Sequence, residues 1–125
     1  MIFIDIEDVL LFHEKIIKQA GGSDGMRDIG LIESAIKRPF ATFDGTQLYL
    51  DDIDKISCMV YSLINNHGFV DGNKRIGIAV MLLLSRLNGI ELIYDQKELV
   101  ELGLNIASGK SKENEIKIWI DKHRK

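Results

Sequence analysis

The sequence predicts an all-α domain, a compact bundle of about six helices with residues 1–125 forming a single domain. Three observations carry that prediction. Apolar residues recur at spacings of three and four in successive windows, the period of a helix with one buried face. Capping side chains open these windows, and glycine or proline signals close them. No segment alternates apolar and polar residues long enough to make a convincing sheet. Internal repeats, low-complexity tracts and linkers are absent, so one core is expected.

Asp5 is placed as the N-cap of a first helix. Ile6, Val9, Leu10, His13, Ile16, Ile17 and Ala20 follow the helical period, and Gly21-Gly22 stops it. His13 lies on this apolar stripe, where a lone histidine reads as a hydrogen-bonded core residue rather than a ligand. A polar, glycine-rich loop runs from Gly21 to Arg27. Asp28 then caps a short helix over Leu31, Ile32, Ala35 and Ile36 that ends near Arg38-Pro39. Phe40 to Leu50, with Asp44-Gly45 inside it, reads as irregular with one helical turn. A long helix begins near Asp52, buries Ile53, Ile56, Val60 and Leu63, and carries its period on to His67. After a break at Gly68–Gly72, a second long helix is apolar almost all round from Ile76 to Leu84, as for a helix surrounded by others. It closes at Asn88-Gly89. Ile90 to Tyr94 reads as a short extended piece. Asp95-Gln96-Lys97-Glu98 is a capping-box-like start for a fifth helix through Leu99, Leu102 and Ile106, with a gap in its stripe at Gly103 and an end near Gly109. Ser111 is placed as the cap of a last helix burying Ile116, Trp119 and Ile120.

With 46% apolar and 28% charged residues, the composition is that of an ordinary globular domain. A formal charge of −3 argues against direct nucleic-acid binding, which calls for a basic excess or stripe. The terminal cluster Lys122-His123-Arg124-Lys125 reads as a solvated helix end. Cys58 is the single cysteine, so no internal disulfide forms, and its apolar surroundings make it a small buried side chain. Met1 to Asp5 lacks the basic region of a signal peptide, and the apolar run Ile76 to Leu84 is too short to span a bilayer. A cytoplasmic location with no membrane partner is therefore expected.

One segment stands apart chemically: His67-Gly68-Phe69-Val70-Asp71-Gly72-Asn73-Lys74-Arg75. A helix starts near Gly72 with Asp71 as its expected cap, and its first N–H groups lack intrahelical partners and carry partial positive charge. Cations normally avoid that end, yet Lys74 and Arg75 occupy its first turn. Such a concentration of positive charge suits a bound anion, phosphate above all. Gly72 permits close backbone approach, Asp71 is a hard oxygen ligand suited to Mg²⁺ shared with substrate phosphates, and His67 is of the residue type most often used as a general base. Phe69 is expected beneath the loop, fixing its shape. Together these are the parts required to transfer a phosphorus-centred group to a hydroxyl. Each also has a plainer reading: Asp71 as an ion-pair partner of Lys74 and Arg75, His67 as a helix-end residue, Asn73 as first-turn polarity. A hydrolytic metal site of His67 and Asp71 lacks an obvious third ligand.

The segment resembles the Fic/Doc family, whose Fic motif reads H-x-F-x-[D/E]-G-N-x-R-x-x-R. His67, Phe69, Asp71, Gly72, Asn73 and Arg75 match it, and Lys74 matches the Doc pattern H-x-F-x-D-x-N-K-R. Gly21-Gly22, Gly25-Met26, Asp28, Glu33–Ile36, Arg38-Pro39, Leu87–Gly89 and Ala107–Gly109 extend the similarity over essentially the whole chain. Lys74 replaces the glycine usual in AMP-transferring members, and Ile78 replaces their second arginine; Gly72, by contrast, is Fic-like where Doc tends to have alanine. The resemblance implies the following roles. His67 is the base toward a serine or threonine hydroxyl. Asp71 holds Mg²⁺. Gly72, Asn73, Lys74 and Arg75 bind the phosphates of ATP. It further implies a death-on-curing toxin that phosphorylates elongation factor Tu, halts translation and is restrained by a Phd-like antitoxin. AMP or other nucleotidyl transfer on the same scaffold is the runner-up, and an inactive binding module is the alternative of another class. Self-inhibition by an [S/T]-x-x-x-E-[G/N] helix is not expected, because Ser111 to Glu115 is followed by Ile116.

Overall fold

The computed structural model describes residues 1–125 and holds six α-helices: α1 (Ile6–Ala20), α2 (Ile29–Lys37), α3 (Asp52–Asn65), α4 (Asn73–Leu87), α5 (Gln96–Ala107) and α6 (Glu113–His123). The expected all-α class holds. Where capping is local, the helix starts fall where the residues placed them. Asp5 accepts the N–H of Asp8 and Asp8 returns the bond to the Asp5 N–H. Asp28 accepts the N–H groups of Gly30 and Leu31, and Asp95 and Glu98 form a reciprocal box. The last helix differs. Lys112, not Ser111, is its N-cap, with the Glu115 carboxylate accepting the Lys112 N–H.

α3 is the hub, packing against α2, α4, α5 and α6. Every residue from Lys55 to Val60 is buried, so the helix enclosed by others is α3 rather than α4. A core of 22 buried residues draws on all six helices. Cys58 is fully buried within α3, and burial pushes its thiol pKa up, as befits an inert core cysteine. The additional apolar residues of α4 (Ile78, Ala79, Leu82 and Leu83) are only half-buried and floor a surface groove instead.

Between α2 and α3 the expected irregular stretch is more ordered than its sequence implied. A 3₁₀ turn at Arg38–Phe40 leads into a small antiparallel hairpin, β1 (Thr42–Phe43) and β2 (Thr46–Gln47), turning through Asp44-Gly45. Both strands are exposed and two residues long, too short to show an alternating pattern. Lys55 ties this segment down by donating to the carbonyls of Tyr49 and Leu50 at 2.6 and 3.1 Å. The extended piece after α4 pairs with the end of α6: Ile93 N–H donates to His123, and Lys125 N–H to Glu91. No helix is long and apolar enough to cross a membrane.

Candidate active site

The segment His67–Arg75 links α3 to α4, so two packed helices fix both of its ends. α3 stops at Asn65, two residues short of the histidine that the apolar period had carried it to. His67 instead adopts φ 52°, a left-handed conformation that reverses the chain and leaves its ring exposed. Phe69 is buried, as expected, and anchors the loop.

Asp71 was the expected cap of α4; the observed cap is Gly72, at φ 78° with no side chain over the helix start. The reason is geometric. A left-handed residue there turns the chain abruptly into the helix, so the Asp71 carboxylate accepts the Gly72 N–H, at 2.8 Å, and none of the N–H groups of α4. The N–H groups that open α4 therefore stay uncapped beside Lys74 and Arg75. A left-handed residue followed by helix also forms a concave array of N–H groups that favours anions. A side chain at Gly72 would be strained by its φ and would meet Ile17 at 3.1 Å and His13 at 3.3 Å.

The Asp71 carboxylate is exposed and ionised. The N–H of Ser23 holds its pKa below the ordinary carboxylate value, followed by the N–H of Gly72, with Arg75 and His13 adding to the effect. Arg75 lies 3.9 Å from it and donates to the Gly21 carbonyl at 2.8 Å. Asp71 is the residue able to hold a divalent cation. Each of its oxygens accepts one backbone N–H and keeps a further lone pair, which fits Mg²⁺ completed by water and substrate phosphates. No group of three or more His, Cys, Asp or Glu side chains comes together as an all-protein metal site.

The Asn73 side chain is engaged within the loop, while its backbone N–H stays in the uncapped first turn of α4. Its side-chain oxygen accepts the Phe69 N–H and its amide donates to the Phe69 carbonyl, both at 3.0 Å. It is a brace closing the loop onto the first turn of α4. Lys74 lines an open groove of about 490 Å³ with Ile16, Ile78, Leu82 and Tyr94, and its stem packs over Gly103. The gap in the α5 stripe at Gly103 is thus the space this lysine occupies.

Two contributors were not marked by the motif. His13, read as a hydrogen-bonded core residue, is that and more: it stacks on Phe69, with centroids 3.7 Å apart and planes 10° from parallel. Its Nε2 donates to the Asp71 carbonyl at 2.7 Å, and because a carbonyl only accepts, this nitrogen carries the hydrogen. The second contributor is the Gly21–Arg27 loop, which lies along the motif. Ser23 N–H reaches the Asp71 carboxylate, Val70 N–H reaches the Gly25 carbonyl, and Met26 bridges Phe69. Gly22 approaches so closely that a Cβ would lie 2.7 Å from Asp71 Oδ2 and 2.8 Å from Arg75 Nη2.

A helical domain with this loop between two central helices, opening an uncapped helix with Lys74 and Arg75, defines the class. The model of the Fic/DOC family matches residues 3–85, and the chain belongs to that family. Within it the chain is of Doc type. It is 38% identical over 93 residues to Toxin Doc of Mycolicibacterium smegmatis, covering 74% of this chain and 69% of that one. It is 31% identical over 107 residues to the protein kinase doc of Escherichia phage P1, covering 85% and 82% of the two chains.

Proposed function

We propose that this chain is a Doc-type toxin that phosphorylates a serine or threonine hydroxyl of a host protein, elongation factor Tu, using ATP and Mg²⁺. The observation that carries the reading is the uncapped start of α4, flanked by Lys74 and Arg75 and faced by the ionised Asp71 carboxylate. It offers an anion seat and a cation ligand one loop away from an exposed histidine. His67 takes the hydroxyl proton as the oxygen attacks the γ-phosphorus. The new O–P bond forms, the bond from that phosphorus to the β–γ bridging oxygen breaks, and ADP leaves. Asp71 would hold Mg²⁺, which would offset the charge developing on the phosphates. The N–H groups after Gly72, with Lys74 and Arg75, bind phosphate oxygens, and Asn73 keeps the loop in shape. The name of the phage P1 relative, a protein kinase, supports phosphoryl over nucleotidyl transfer. So does Ile78, which lines the groove beside Lys74 where a second arginine would add charge.

The same reading calls for a partner. The Lys74 groove continues past Ala79, Leu82 and Tyr94 into a second stretch of about 640 Å³ lined by Phe12, Leu83 and Leu92. An apolar floor with two cations at one end fits an amphipathic helix carrying a carboxylate. A Phd-like antitoxin is the occupant proposed, and cytoplasmic action follows from such a target and partner.

The test is incubation with Mg²⁺, a bacterial extract and ATP labelled on the γ-phosphate, beside a His67→Ala control. Label on one band of elongation-factor size, absent with the control, is the expected result. Label arriving only from the α-phosphate would replace phosphorylation with nucleotidyl transfer. No label from either position, with toxicity unchanged by His67→Ala, would leave an inactive binding module.

A further inference from the structure

We propose that Arg27 is the positioning residue that aims His67. The inference rests on the reading of His67 as the general base and adds a residue outside the motif, 40 positions away in sequence. Arg27 Nε donates to the His67 carbonyl at 2.7 Å, and Nη2 donates to the Asn66 carbonyl at 3.3 Å. The Arg27 backbone N–H takes the next carbonyl, Gly68, at 2.8 Å, joined there by the Asp28 N–H at 3.0 Å. One residue thus holds three successive carbonyls, 66, 67 and 68, across the point where the chain leaves α3.

That point is where the backbone needs holding. A histidine at φ 52° is in a sparsely populated region, and such a conformation persists only when its surroundings over-determine it. The His67 ring is exposed. Its direction is therefore set through its own main chain, by whatever fixes the carbonyls on either side. A guanidinium does this in a way an ammonium does not. Its planar fork presents two donors to two carbonyls at once, and its charge complements the negative end of α3. The preceding loop is anchored as well, by the Val70 N–H on Gly25 and the Met26–Phe69 bridge, so Arg27 reaches His67 from a fixed base.

The experiment compares wild type, Arg27→Ala and Arg27→Lys as full chains in the γ-label assay. In both variants kcat is expected to fall about tenfold to a hundredfold, the range for misplacing a reacting group by about 1 Å, with KM for ATP unchanged. Guanidinium ion at millimolar concentration restores part of the rate to Arg27→Ala and none to His67→Ala. Adding Arg27→Ala to His67→Ala lowers the residual rate no further, because the arginine acts through the histidine. A rise in KM with kcat unchanged would overturn the proposal by making Arg27 a substrate ligand, and so would an undiminished rate. Imidazole proton–carbon spectra supply a readout that needs no substrate. The His67 signal is expected to broaden or split in Arg27→Ala while those of His13 and His123 stay in place, and an unaltered His67 signal refutes the proposal. If wild type itself transfers no label, it is the proposed activity that fails, and the spectra still decide whether Arg27 fixes the ring.

Discussion

Replacing Gly22 by alanine separates the stability of this fold from the geometry of its site. Gly22 has φ 114°, and a Cβ built there lies 2.7 Å from Asp71 Oδ2, 2.8 Å from Arg75 Nη2 and 3.1 Å from Ile17 Cδ1. The backbone penalty is about 1–2 kcal/mol, partly offset by the lower unfolded-state entropy of alanine, worth about 0.4–1 kcal/mol. A net loss of about 1 kcal/mol lowers the melting temperature of a domain this size by about 4 °C. The contact penalty is met differently. Both close atoms are side-chain ends, so the clash is relieved by Asp71 and Arg75 retreating about 0.6–0.7 Å to ordinary contact at 3.4 Å. Those are the groups proposed to hold Mg²⁺ and phosphate. A displacement approaching 1 Å in such groups costs roughly tenfold to a hundredfold in rate.

Gly109→Ala is the matched control, with φ 86° and nothing within 4 Å of the new methyl. Both variants are expected to lose a few degrees in a thermal melt. Only Gly22→Ala is expected to lose γ-label transfer, with a higher Mg²⁺ concentration needed for half its maximal rate. Equal transfer by the two variants, at matched temperatures below both melts, would refute the argument that the Gly21–Arg27 loop sets the positions of Asp71 and Arg75.

Three further substitutions test neighbouring parts of the structure. Gly103→Val places methyl groups against the Lys74 stem, which a Cβ already meets at 3.1 Å, so KM for ATP should rise about threefold to tenfold, or about 0.7–1.4 kcal/mol, with little change in melting. An unchanged KM would remove Lys74 from the nucleotide site. His13→Phe keeps the stack on Phe69 but leaves the buried side without a donor for the Asp71 carbonyl, a loss of about 1–3 kcal/mol measurable by urea denaturation. Stability equal to wild type would mean that water replaces the imidazole. Glu98 is held below its ordinary pKa of 4.5, chiefly by its hydrogen bond to His123 and then by the Asp95 N–H. A depressed folded pKa gives stability that is present above 4.5 and lost as the pH falls through the folded value. Glu98→Gln should therefore flatten the acid limb of melting temperature against pH below about 4.5. An identical limb in the variant would show that the His123–Glu98 contact is not held in solution.

What was legible in the residues is what is encoded locally. Asp5, Asp28 and Asp95 announce helix starts because each closes its bonds within three residues. The residues proposed for phosphate transfer stand out in the sequence because they are compressed into His67–Arg75. Around the site, the misplacements fall where a distant contact overrides a local pattern. The apolar period ran on to His67, but Arg27 and the Asn66 side chain, which donates to the Leu31 carbonyl, end α3 at Asn65. Asp71 has the composition of a cap, but the close approach of His13 and Ile17 gives that position to Gly72. Asn73 shows only its polarity in the sequence, and its bonds to the Phe69 backbone at both ends of its amide come from the fold of the loop. The hairpin at Thr42–Gln47 was hidden because two-residue exposed strands leave no period to read.

These exceptions share a physical logic. The nine-residue segment His67–Arg75 brings a histidine, a carboxylate and two cations near one another by covalent connection alone, but connection does not fix their directions. Direction comes from the Gly21–Arg27 loop and from His13, which bond to the carbonyls of residues 66, 67, 68 and 71 and to the Asp71 carboxylate. The loop is largely exposed, so its contacts add modestly to stability, whereas the core of α3 and α4 supplies most of it. On the proposed function, rate and stability are therefore assigned to different residues. Substitutions in the Gly21–Arg27 loop should act on transfer more than on melting, and substitutions among buried residues such as Ile76 or Met59 should do the reverse.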